Sequence, residues 1–126
     1  MVRLKLYRSV KVHGDDVVPT HLCSGTVLNL GADWRLTDAN GVLRPDARYN
    51  IRTKDGTNIF VQTEGFPLPD GRTMLRGKFE TASNGTYKWL NDVVGVGVLR
   101  REGTAAVRIE MWHVSEVLFF SFAAPL

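Results

Sequence analysis

The sequence holds a single cysteine, Cys23. One thiol cannot close an intrachain disulfide, which excludes a disulfide-stapled secreted scaffold and fits a reducing compartment. No apolar run approaches the roughly 20 residues of a membrane-spanning helix. The opening MVRLKLYRS also lacks the apolar centre of a signal peptide. A cytoplasmic location and no membrane partner are therefore expected. Charge of one sign is never massed. Net charge is +3, and the basic residues are scattered: Arg3, Lys5, Arg8 and Lys11, then Arg44, Arg48, Arg52 and Lys54, then Arg100 and Arg101. Without a block of like charges, nucleic acid is not an expected partner. The histidines are His13, His21 and His113; no pair is spaced with acidic residues on one strand, and His13, Asp15 and Asp16 fall on a turn, so no metal is expected. Gly95-Val96-Gly97 has no helix after it and is no phosphate loop; glycines in a strand instead permit bending or close approach of the wall.

Helical periodicity is scarce as well. What is present is a series of strand-like segments of about 5–10 residues divided by turn signals. Residues 2–12 alternate in polarity, and His13-Gly14-Asp15-Asp16 reads as a turn. Residues 24–30 form a short apolar strand ending at Gly31, and residues 31–49 read as a hairpin about Asn40-Gly41. Lys54-Asp55-Gly56-Thr57 turns a second hairpin. The stretch 65–71 carries two prolines and is expected to be a loop, a candidate lid. Strands are expected near 73–82, 92–100, 104–113 and 115–122, with room for one helical turn at 86–92. An antiparallel sheet of so many strands must curl or close to protect its edges. The expectation is one all-β domain over residues 1–126, a single closed antiparallel β-barrel, lipocalin-like, of about eight or nine strands, with an interior able to hold one small ligand.

Several short motifs occur in order: Gly31-Ala32-Asp33-Trp34, Asp46-Ala47-Arg48-Tyr49, Thr53-Lys54-Asp55-Gly56, Phe79-Glu80-Thr81, Tyr87-Lys88-Trp89-Leu90-Asn91 and Gly95-Val96-Gly97. Together, over about residues 24–114, they resemble the domain-of-unknown-function family 3237 of small β-barrels. That resemblance implies a barrel with a pocket and often a homodimer. It also implies kinship with fungal members that tailor polyketide-like aromatic compounds without a cofactor. Members usually carry a longer N-terminal segment and end near the equivalent of Val114. The apolar stretch Ser115–Phe122 is accordingly expected to add an edge strand that substitutes for the missing one, or to contact a second copy.

The candidate chemistry is carried by carboxylates, one arginine and aromatics. Strand parity puts Asp46, Arg48, Asn50 and Arg52 on one face and Ala47, Tyr49 and Ile51 on the other. Two readings stand: Tyr49 and Ile51 fill the core with the charges in water, or Asp46 and Arg48 line the cavity. Asp33 and Trp34 point to opposite faces in a regular strand. Asp33 is either a turn cap or a pocket carboxylate made less acidic by burial. Glu80 shares a face with Arg76 and Lys78, either in solvent or in the pocket. The three tryptophans suit core or platform; Trp89 is the best platform, with Asn91 beside it as a pocket amide or a cap.

The expected function is a cofactor-free tailoring enzyme of secondary metabolism, acting by cyclisation (hydroxyl addition across an alkene), isomerisation or dehydration. An aromatic or polyketide-derived substrate would lie against Trp34, Tyr49, Trp89 and Asn91. Asp33, Glu80 or Asp46 would exchange the proton, and Arg48 would stabilise developing phenolate or enolate charge. The alternative is a barrel that binds a small apolar ligand without chemistry.

Overall fold

The computed structural model describes residues 2–11 and 17–114, with side chains from Cys23 to Val114. The expected turn at 13–16 and strand at 115–122 lie outside the described residues. The described residues hold nine strands: β1 (Val2–Lys11), β2 (Val17–Asp33), β3 (Leu36–Thr37), β4 (Leu43–Arg44), β5 (Asp46–Thr53), β6 (Asn58–Pro67), β7 (Thr73–Glu80), β8 (Val94–Glu102) and β9 (Ala106–Val114). A 3-10 helix, Lys88–Asp92, precedes β8. Strands β2 and β5 to β9 form one curled antiparallel sheet, a half-barrel. The backbone of β1 pairs antiparallel with β2 and parallel with β9. The all-β architecture is as expected, but the arrangement is not wholly antiparallel, and β3 and β4 stand apart as a two-stranded sheet of their own.

The alternation of β5 and β6 sets the core. In β5, Tyr49, Ile51 and Thr53 are buried while Arg48 and Arg52 are exposed. In β6, Ile59, Val61, Thr63 and Gly65 are buried. Register places Ile51 opposite Ile59 and Tyr49 opposite Val61, and Val61 in turn lies opposite Phe79 of β7. With Leu75, Ile109, Met111 and Leu90 of the 3-10 helix, these side chains form one continuous apolar core on the concave face. Full burial of each aliphatic side chain is worth about 1.5–3 kcal/mol, which is why the pattern of period two decides which face turns inward.

Two local expectations change, and a third holds in interrupted form. The strand ending at Gly31 is the last part of a 17-residue β2, whose register against β5 shifts between Val27 and Gly31. The expected hairpin over 31–49 is present, with interruptions: Gly31, Ala32 and Asp33 pair with Tyr49, Arg48 and Ala47, and Leu36 and Thr37 pair with Arg44 and Leu43 about the Asn40-Gly41 turn. The expected loop at 65–71 is strand as far as Pro67. Pairing of β6 with β5 stops at Glu64, so the missing proline N–H faces a side with no β5 ladder to complete. The turn proper closes with Leu68 N–H donating to Arg72 O, 2.8 Å. The hairpin at Lys54–Thr57 is as expected; Gly56 supplies its left-handed residue at φ 85°.

Candidate functional site

The concave and convex faces divide the candidate residues. Asp46, Arg48 and Glu80 lie on the convex face. Arg48 sits opposite Gln62, Asp46 opposite Glu64 and Glu80 opposite Phe60, all on strands whose alternate residues fill the core. The cavity-lining option for Asp46, Arg48 and Glu80 is therefore not the arrangement found. The reason is packing: turning these side chains inward would turn Tyr49, Ile51, Val61 and Phe79 out.

On the convex face they make a shallow group. The Arg48 guanidinium lies over the Trp34 ring, 5.0 Å from its centroid. Arg48 Nη2 is 3.6 Å from Asp46 Oδ2, and Gln62 Nε2 donates to Asp46 Oδ1 at 3.4 Å. Trp34 is 57% exposed, neither core nor an enclosed platform. Exposed pairs of this kind contribute about 0–1 kcal/mol and do not desolvate a substrate.

Asn91 is a staple. Its Oδ1 accepts from Thr81 N–H at 2.8 Å, and its Nδ2 donates to Thr81 O at 3.1 Å. The amide thus imitates a strand partner and fixes the 3-10 helix to the end of β7. Trp89, from the same helix, is partly buried against the core.

Two candidates do face inward. Register sets Asp33 opposite Ala47, and Ala47 packs on the core, so Asp33 belongs to the concave side at its rim. There its Oδ2 accepts from Arg35 Nε at 2.7 Å. Tyr49 is the deeper one. Its backbone passes close to Gly31, where an added Cβ would stand 2.9 Å from Tyr49 Cα. The side chain is 9% exposed, and among the described residues its phenolic oxygen has no hydrogen-bond partner. Burial pushes the phenol up to about 12; the neighbouring Thr63 hydroxyl acts weakly the other way without reaching hydrogen-bonding geometry. A buried hydroxyl left unpaired costs about 1–3 kcal/mol, so this oxygen requires a reason.

Sequence reasoning missed Thr63, the neighbour of that oxygen, and Gly77 and Met111, which follow it across the concave face. Thr63 lies opposite both Ala47 and Gly77, and Gly77 lies opposite Gly95. This row of small residues runs from Asp33 across the concave face. Only strand register reveals it. Among the described residues, no group of three or more His, Cys, Asp or Glu could share a metal ion, and no helix is long and apolar enough to cross a membrane.

Residues 8–76, just over half of the chain, match the model of the family described as "Protein of unknown function (DUF3237)". The chain belongs to this family. Within DUF3237 territory lie Asp33, Tyr49 and Thr63. The chain is 40% identical over 73 residues to the hydroalkoxylation enzyme phnH of Penicillium herquei, a match covering 58% of this chain and 44% of the relative. The chain thus spans less than half of that protein. Among solved structures, it is similar to a β-barrel-like protein of Acinetobacter baumannii AYE, with a TM-score of 0.61, 29% identity and coverage of 77% and 74% of the two chains. A protein of unknown function from Clostridium acetobutylicum gives a TM-score of 0.61 at 26% identity, covering 79% and 74%.

Proposed function

We propose that this chain is a cofactor-independent tailoring enzyme that adds a hydroxyl across an alkene within an aromatic, polyketide-derived substrate, held on the concave face of the sheet. The observation that carries the reading is the unpartnered Tyr49 phenol in an apolar core. The name of the fungal relative gives the reaction class. The reading includes closure of the wall: pairing of β1 with both β2 and β9 supports a closed, lipocalin-like barrel around the site.

Such an addition is an internal rearrangement. One alkene carbon takes a proton, the substrate oxygen bonds to the other, and that oxygen gives up its own proton. No electron acceptor and no leaving group are involved. Tyr49 stays a neutral O–H throughout the physiological range, because burial holds its phenol near 12. Its oxygen accepts a hydrogen bond from the substrate hydroxyl and so orients the reacting oxygen toward the alkene. Asp33, at the concave rim, is the carboxylate that exchanges the proton. Apolar walls of Ile51, Val61 and Phe79 exclude water, which would otherwise capture a cationic intermediate.

The test is conversion of ortho-prenylphenol to its cyclic ether. Wild-type protein is expected to convert it, and Tyr49→Phe to do so about 10²-fold more slowly, as for loss of a contact that positions the reacting oxygen. Equal rates would defeat the assignment. The apolar neighbours also suit a carrier without chemistry; tight binding with no ring closure is the result that selects it.

A further inference from the structure

Beyond Thr63, the neighbour of the Tyr49 hydroxyl, the concave face is filled by one flexible side chain. Met111 is fully buried, and its methyl group fills the volume that two glycines leave. A Cβ on Gly95 would stand 2.9 Å from Met111 Cε and 3.1 Å from Phe79 Cε2; a Cβ on Gly77 would collide with the same methyl. Gly77 faces Thr63 across the β6–β7 ladder, and the Thr63 hydroxyl is the polar neighbour of the Tyr49 phenol. Phenol, threonine, paired glycines and thioether therefore follow one another along the concave face.

Packing alone does not explain this combination. A core built only for stability would carry side chains at Gly77 and Gly95 and phenylalanine at position 49. Two adjacent strands without Cβ atoms leave a flat gap, and methionine is the side chain that most readily leaves such a gap, being unbranched and tolerant of many rotamers. The Tyr49 hydroxyl, whose neighbour Thr63 lies opposite Gly77, has no hydrogen-bond partner among the described residues.

We infer that Met111 is a displaceable plug in a ligand slot floored by Gly77 and Gly95, and that the slot takes a planar aryl ring bearing one hydroxyl or carbonyl oxygen, which pairs with the Tyr49 hydroxyl. The inference rests on the concave face being the ligand side, as proposed above, and names the residues that set ligand shape. The two glycines admit a flat ring and exclude a puckered one. Withdrawal of the thioether opens the slot, and Phe79 stays as its apolar wall.

The experiment is NMR of protein carrying [13C-methyl]methionine, titrated with β-naphthol and, separately, with naphthalene. The Met111 resonance is assigned by its loss in Met111→Leu. At saturation, β-naphthol is expected to shift that methyl by ring current. Tyr49→Phe is expected to weaken β-naphthol about five- to tenfold, the worth of one hydrogen bond, and to leave naphthalene unchanged. Gly95→Ala, checked for a cooperative melt, is expected to abolish both shifts. An unmoved Met111 methyl, undetectable binding, or wild-type binding by folded Gly95→Ala overturns the slot. Where Gly95→Ala does not fold, the methyl shift in wild-type protein decides. A shifted methyl without conversion of ortho-prenylphenol sinks the catalytic reading and keeps the slot. Conversion with an unmoved methyl does the reverse.

Discussion

Arg48 and Tyr49 are chain neighbours with opposite surroundings. The Arg48 side chain is 47% exposed and lies over Trp34 on the convex face, whereas Tyr49 is 9% exposed with its hydroxyl unpaired in the core. One step along β5 thus separates the residue suited to solvent from the one suited to an enclosed ligand.

Tyr49→Phe should not harm the fold. It removes a buried hydroxyl that has no partner, so stability should be unchanged or raised by up to about 1 kcal/mol. Urea denaturation checks this. A loss of 2 kcal/mol or more, on the order of a broken buried network, would mean that the hydroxyl has a structural partner.

Arg48→Ala, Asp46→Asn and Glu80→Gln act on the convex face. Each should change stability by less than about 1 kcal/mol and ring closure of ortho-prenylphenol by less than about threefold, since none of these side chains faces the core. Steady-state rates of the three purified variants are the measurement. A hundredfold loss in any of them would move the reacting centre to the convex face.

Stability should fall in alkali. Burial raises the Cys23 thiol from 9.0 to about 11 and the Tyr49 phenol from 10.0 to about 12. Both are acids whose neutral form the fold favours, so the unfolded chain loses its protons first. Their contribution is whole below pH 9 and is lost between pH 9 and 11 for Cys23, and between pH 10 and 12 for Tyr49. The slope is about 1.4 kcal/mol per pH unit for each group within its window. Urea midpoints across this range should drop in wild-type protein. Tyr49→Phe should flatten the upper part and Cys23→Ala the lower.

Asn91→Ala removes both hydrogen bonds to Thr81. These are exposed, so the expected cost is about 1–2 kcal/mol, seen as a lower melting temperature. Ligand affinity should be retained, because the amide binds backbone and not the concave face. A fall in affinity with an unchanged melt would make Asn91 a ligand contact.

Much of the wall was legible in the sequence. The period-two pattern of DARYNIRT, the Lys54–Thr57 turn and the short helical turn before β8 are all where local chemistry puts them. The inward face of β5 was not legible, because charged and apolar residues alternate there and either set can face a cavity. Ile59, Val61 and Phe79 on the neighbouring strands decide it. The hairpin at 31–49 was legible in its turn residues. Asp38 accepts from the backbone N–H groups of Asn40 and Val42, which closes the turn, and β3–β4 and β2–β5 pair on either side of it. Thr63, Gly77 and Gly95 come together only through register across three strands, which no single segment encodes. Gly95 and Gly97 do permit the close approach their strand position suggested, and the partner that approaches is Met111.

The most direct test is the Tyr49 phenol itself, observed as its [13Cζ]tyrosine resonance and assigned through Tyr49→Phe. On titration with β-naphthol the resonance should move in step with binding while that of Tyr87 stays fixed. A saturated complex in which the Tyr49 resonance has not moved would contradict a ligand site on the concave face.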